Sequence, residues 1–280
     1  AEAYTSMKPN WEEDFFDLKD IGDKAFCDGL TRNMLCFYVH QGKLDALPGY
    51  QWEAAGTHFD RNVTWWPVID GWLTYLSRCQ FLLRQGRFVA DLCYYYGEDA
   101  PNYVPGKAFM RPALPKGYDA DTIDTTVLMN RLGVKDGRLV LPDGMSYRML
   151  VLPEERRWMT VPVMEKLRVL VKAGATVVGR PIKRSPSLTG YPQCDEQVRA
   201  GAEELWDGLD GKDRTRKQVG EGRVIWSKAL AEVLAADKLP PDFAYQGDAN
   251  LDYIHRTCDV GEIYFVSNQQ DRDVQVDCVF

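Results

Sequence analysis

The chain has 280 residues, 45% of them hydrophobic and 27% charged, which excludes a disordered or collagen-like polymer and describes an ordinary globular protein. Lys and Arg number 34 against 41 Asp and Glu, a formal net charge of -7, and the basic residues are scattered, so no nucleic-acid partner is expected. No apolar run approaches the roughly eighteen residues of a membrane-spanning helix, so no membrane partner is expected either.

This length lies near the upper limit for one hydrophobic core, so two or three packed units are anticipated. The chain starts at Ala1-Glu2-Ala3-Tyr4 without an initiator Met and stops at Val279-Phe280 inside an alternating apolar run. It reads as an excerpt of a longer protein, which leaves its compartment open. Seven cysteines without a C-x-x-C pair read as small buried residues with free thiols, a Cys258–Cys278 bridge being the main exception.

In chain order, a strand ending near Glu2 is expected first. Phe15, Leu18, Ile21, Phe26 and Leu30 recur at three- to five-residue steps, which predicts an amphipathic helix. Met34 to Val39 is a compact apolar run that predicts a strand buried on both faces. A loop over 40–62 leads to a second helix with the stripe Ile69, Trp72, Leu73, Leu76 and Leu83, with Thr64 as N-cap and Gly86 as stop. Next come a strand over 88–96, a helix over 123–132, a hairpin around 138–142, a strand over 147–152, a helix over 161–172 and a strand over 176–178. A helix over 201–209, a strand over 223–226 and a helix over 228–235 complete the series. Such alternation predicts a doubly wound parallel α/β domain. After Pro240-Pro241 the helices stop, and strands over 251–257, 262–267 and 274–280 read as the start of a β-sandwich. The expected domains are 1–86, 87–240 and 241–280.

A doubly wound domain invites a nucleotide or flavin reading, yet no phosphate-binding loop is present. The turn after the 88–96 strand, Gly97-Glu98-Asp99-Ala100, puts two carboxylates where a phosphate would sit, so no nucleotide or flavin is expected. A glutamine-amidotransferase reading fails for want of a nucleophile elbow and of any His between 88 and 240. This domain is expected to pack or oligomerise. The chemistry concentrates in the first 66 residues, which hold two of the three histidines and four of the eight Trp. Within Gly56-Thr57-His58-Phe59-Asp60-Arg61-Asn62-Val63-Thr64-Trp65-Trp66, the groups His58, Asp60 and Arg61 suit sugar hydroxyls, and the Trp65-Trp66 pair suits the C–H face of a sugar. The alternative is that the two indoles wedge the helix against its neighbours. Glu2 and His40 follow consecutive predicted strands, the edge at which reacting groups gather in a (β/α)8 barrel. His40 is a further candidate for binding sugar and reads equally as a structural histidine, and His255 reads as packing or surface.

Ala1-Glu2-Ala3-Tyr4-Thr5-Ser6, Ile21-Gly22-Asp23-Lys24-Ala25-Phe26-Cys27-Asp28-Gly29, His40-Gln41, Gly56 to Asn62 with Trp65-Trp66, and Phe88-Val89-Ala90-Asp91 together resemble glycoside hydrolase family 106. Arg138 to Arg148, Ser185 to Pro192 and Ile263 to Gln269 continue the likeness. That resemblance implies an α-L-rhamnosidase acting on a rhamnose-containing oligosaccharide or glycoside. The implied fold class is α/β: the C-terminal part of a (β/α)8 barrel, a flavodoxin-like or amidotransferase-like domain, then β-sandwich strands. The family's inverting mechanism uses one carboxylic acid and one carboxylate about 6.5–9.5 Å apart. It makes Glu2 the candidate base, in Ala-Glu-Ala-Tyr-Thr, and puts the acid outside this chain. It also implies calcium, whose ligands stay unassigned, and its substrate class favours a periplasmic or secreted location. Without the N-terminal half of the barrel and the C-terminal sandwich, apolar barrel surface is expected to face water and the excerpt to be inactive. The competing reading is a non-catalytic carbohydrate-binding or oligomerisation module on the same scaffold.

Overall fold

A computed structural model describes residues 1–6, 11–52 and 56–280. The chain divides into two compact units, Ala1–Phe88 with Gly247–Asp277, and Val89–Gln246 with Cys278–Phe280. The fold is mixed α/β with several sheets, and among the described residues no closed barrel forms.

In the first unit, β1 (Glu2–Ala3) and β2 (Met34–Leu35) pair in parallel, Glu2 opposite Met34. Between them runs α1 (Phe15–Cys27), which starts where its sequence supplies a reciprocal cap. Asp14 Oδ1 accepts from Phe16 N (2.8 Å) and Asp17 N (3.4 Å), and Asp17 faces the Asp14 amide. The strand expected to be buried on both faces pairs only at Met34–Leu35, and Met34 and Tyr38 are 72% and 67% exposed. Among the described residues no second layer covers the Met34 and Tyr38 side chains. Helix α2 (Ile69–Leu82) buries Ile69, Trp72, Leu76 and Cys79. Thr64 is not its cap: a 3-10 turn at Trp66–Val68, with Pro67 in its first positions, feeds the helix from Val68 with no side-chain cap.

The strand expected over 88–96 is two strands. β3 (Arg87–Phe88) stays in the first unit, and β4 (Leu92–Tyr95) belongs to the second. The second unit continues with β5 (Ala120–Ile123), α3 (Thr125–Asn130) and a three-stranded meander of β6 (Gly133–Lys135), β7 (Arg138–Val140) and β8 (Ser146–Tyr147). Then follow β9 (Met149–Val151), α4 (Val161–Lys172), β10 (Thr176–Val178), α5 (Gln193–Trp206), β11 (Arg216–Val219), β12 (Gly222–Ile225), α6 (Leu230–Ala236) and β13 (Ala244–Gln246). The main sheet has the order β11-β12-β10-β9-β4-β5, parallel except for β11. The residues expected to open a helix at Ile123 close β5 instead, because Asp124 caps α3 one residue later through Val127 N (2.8 Å). The core packs Leu92, Met149, Val151, Val178, Ile225 and Leu234.

The chain then returns to the first unit. β14 (Leu251–Cys258) and β15 (Gly261–Asn268) form a hairpin in unbroken register from Leu251 opposite Asn268 to Cys258 opposite Gly261, and β3 adds to β14. Phe265 of the hairpin meets Phe26 of α1 edge-on at 5.7 Å. A last strand, β16, covers Asp277–Val279. All seven cysteines carry free thiols. No helix among the described residues is long and apolar enough to cross a membrane.

Candidate functional site

Segment 56–59 lies beside the parallel pair. Thr57 N donates to Tyr4 O and Cys36 O (both 3.1 Å), Phe37 N to Thr57 O (3.0 Å), and Phe59 N to Phe37 O (3.3 Å). These bonds hold His58 rigidly. It is 2% exposed, stacked on Trp11 with ring centroids 3.8 Å apart and planes 7° from parallel, and Phe37 meets it edge-on at 5.6 Å. Burial pulls its pKa below the ordinary histidine value against the opposing pull of Asp60, so the imidazole is held toward its neutral form.

His58 and Trp11 open on a cleft of about 400 Å³, bordered also by Glu12, Glu13, Asn62 and Trp65. Glu13 is fixed from two sides: its carboxylate accepts from Thr57 Oγ1 (2.9 Å), and its backbone carbonyl from Trp65 Nε1 (3.0 Å). Trp65 therefore serves both sequence readings, as a cleft wall and as a wedge packed on Phe15 at 4.5 Å. Trp66 opens the 3-10 turn, packs against the first unit's core and does not border the cleft.

Asp60 and Arg61 act as braces around Gln41. Asp60 is 1% exposed and accepts from Gln41 Nε2 (3.0 Å) and Asn62 N (2.8 Å). Arg61 Nη2 donates to Gln41 O (2.6 Å). The Gln41 amide in turn exchanges two bonds with the Tyr50 backbone, at 2.8 and 2.9 Å, which ties the loop after β2 to the segment that carries His58. His40 is exposed and does not border the cleft. Glu2 is exposed on β1, accepting from Thr5 Oγ1 at 2.7 Å; Ser6, one residue further on, lines the cleft.

Of the residues singled out in the sequence, His58 and Trp65 border this cleft, and Trp11, Glu12 and Glu13, which border it as well, were not among them. These precede α1, and the acidic run Glu12-Glu13-Asp14 is readable as a helix start rather than as a binding wall. Among the described residues no three His, Cys, Asp or Glu side chains gather as a cation site requires.

A concave surface with indole and imidazole walls and hydrogen-bonding carboxylates has the chemistry that suits a sugar ring. Comparison with known proteins narrows the class. A family described as alpha-L-rhamnosidase, glycoside hydrolase family 106, matches residues 1–280. A Formosa agariphila protein described as "Putative beta-glucuronidase" is 35% identical over 99% of this chain and 22% of its own length. The solved structure of a rhamnosidase from Novosphingobium sp. PP1Y superposes with a TM-score of 0.86 at 31% identity, over 99% of this chain and 26% of that one. The chain belongs to glycoside hydrolase family 106, and it spans about a quarter of the length of these two relatives.

Proposed function

We propose that the chain is part of a longer glycoside hydrolase that removes terminal α-L-rhamnosyl residues from rhamnosides or rhamnose-containing polysaccharides, and that its first unit supplies one wall of the saccharide site. The observation that carries this reading is the cleft in which Trp11, His58 and Trp65 stand beside Glu12 and Glu13. Among the described lining residues there is no Lys or Arg. Glu12 and Glu13 would repel the carboxylate of a uronic acid, whereas a neutral 6-deoxy sugar offers its methyl and C–H face to the indoles and its hydroxyls to Glu13 and Asn62.

In this proposal β1 and β2, with the helices that follow them, are the closing portion of a (β/α)8 barrel. Exposed apolar side chains on α1 and at both ends of α2, Phe16, Ile21, Val68, Phe81 and Leu82, support that reading. The second unit is a flavodoxin-like domain, supported by its parallel strands, which in sequence order are arranged 2-1-3-4-5 across the sheet. Glu2 is the base of an inverting mechanism: its carboxylate takes a proton from a water that attacks the anomeric carbon, while a carboxylic acid from elsewhere in the longer protein protonates the departing oxygen. No step runs through calcium.

The test is Glu2→Gln in the longer protein, assayed on a nitrophenyl α-L-rhamnoside. Turnover is expected to fall about 10²–10⁴-fold with rhamnose binding retained. Unchanged turnover would remove Glu2 from the mechanism. The 280-residue chain alone is expected to show no turnover, and robust hydrolysis by it would overturn the proposal that the acid lies elsewhere.

A further inference from the structure

The second unit contains a crevice of about 210 Å³, bordered by Tyr94, Tyr96, Phe109, Arg111, Glu154 and Glu155 among others. Its place follows from the topology. β4 lies between β5 and β9, so the chain leaves β4 toward one side of the sheet and crosses back to reach β9 on the other. The loops after β4 and β9 diverge at the carboxyl ends of these strands, and open α/β sheets bind their ligands at such a divergence.

The occupant is not a phosphate compound. At the head of α4, the place for a phosphate is filled by the protein's own Glu98, whose carboxylate accepts from Thr160 N (2.7 Å) and Thr160 Oγ1 (2.6 Å). Asp99 is likewise committed, to Trp158 Nε1 (2.7 Å) and Arg156 Nε (2.8 Å). Arg156 also donates from Nη1 to Tyr96 O and from Nη2 to Asn102 Oδ1, which holds its guanidinium in place at the crevice wall. What stays available is Arg111, whose guanidinium makes one bond, from Nη1 to Met110 O (2.8 Å). The Tyr96 hydroxyl and the Glu154 and Glu155 carboxylates have no hydrogen-bond partner among the described residues. Phe109 stands 72% exposed at the rim, with Tyr103, 78% exposed, in the same loop.

The crevice is smaller than the roughly 300–1,000 Å³ pockets that take drug-sized ligands and cofactors, and is sized for a single ring. Carboxylates and a guanidinium beside an exposed aromatic face suit a neutral ring with adjacent hydroxyls on one side and C–H groups on the other. We propose that this crevice is a second saccharide site, binding one neutral pyranose between Phe109, Arg111, Tyr96 and the Glu154–Glu155 pair. This inference stands on the second unit alone and is independent of the hydrolase reading of the first.

The test is NMR titration of the 280-residue chain with methyl α-L-rhamnopyranoside and with methyl α-D-glucopyranoside, following the ring resonances of Tyr96 and Phe109. Inorganic phosphate and FMN serve as contrasts. Saturable shifts with at least one glycoside and none with phosphate or FMN are expected. Arg111→Ala and Glu154→Gln, both at exposed positions, should each weaken the binding about tenfold without moving the melting temperature. Trp11→Ala in the first unit should leave the shifts in place. Absence of saturable shifts with either glycoside, shifts that survive both crevice substitutions, or preferential binding of FMN or phosphate would each overturn the proposal.

Discussion

Asp60→Asn separates a bracing role for this residue from a direct role in sugar binding. The carboxylate accepts two bonds in a site 1% exposed, from the Asn62 amide and from Gln41 Nε2. An Asn carbonyl can keep the first, but its amino group then meets the Gln41 amino group, donor against donor. If Gln41 turns its amide to relieve this, both of its bonds to the Tyr50 backbone are lost. Either way a charge-assisted bond disappears and a buried polar group is left unpaired, a destabilisation of about 3 kcal/mol. That is a large share of the stability of a domain. Urea unfolding followed by fluorotryptophan NMR resolves Trp65 and Trp72 of this unit from Trp158 and Trp206 of the other. The first pair should unfold at markedly lower urea and the second pair should be unaffected. A change below about 0.5 kcal/mol together with lost sugar affinity would refute the bracing argument and make Asp60 a ligand contact.

Acidification tests His58. Burial lowers its pKa in the folded chain, so between that lowered value and the ordinary value of about 6.5 the unfolded chain binds more protons. The contribution is complete above the ordinary value and is lost as pH falls below it; unfolding measured from pH 7 downward should show this slope, and His58→Gln should flatten it. Gly222→Ala tests the second unit: a methyl there would press on the backbone carbonyls of Val171 and Ala175 and on the Ala175 amide, none of which is a yielding side-chain tip. Overpacking of this kind costs about 1–3 kcal/mol, and the melting temperature of that unit should drop by about 5 °C.

Legibility in the sequence tracked how strongly burial patterned each segment. α4 occupies the residues its stripe Val163, Met164, Leu167, Leu170 and Val171 predicts, and β10 matches its β-branched run Thr176-Val177-Val178, buried throughout. β5, reading Ala-Asp-Thr-Ile, and β11, reading Arg-Lys-Gln-Val, passed unnoticed because both are edge strands whose polar residues interrupt the apolar run: Asp121 of β5 is partly buried on the Tyr147 hydroxyl, and Arg216 and Gln218 of β11 face solvent. The first turns of α5, Gln193-Cys194-Asp195-Glu196-Gln197, bury only Cys194 and so show no stripe. At the site, His58 and Trp65 stood out because aromatic and hydrogen-bonding residues crowd around them. Trp11 reaches His58 from the stretch ahead of α1, a tertiary encounter across 47 positions that no local pattern encodes.

The pairing of β3 with β14 ties together residues far apart in the chain; Arg256 Nε bonds Gln85 O across 171 positions. During translation at about 5–20 residues per second, a nascent β3 therefore waits roughly 10–30 s for its partner, long enough for the entire intervening α/β unit to fold first. Synthesis thus runs inside out: the inserted unit matures early, while the unit that encloses it in sequence stays open until its hairpin leaves the ribosome. Over that interval β3 and the apolar face of α1 lack the β14–β15 hairpin that pairs with and packs on them in the folded unit.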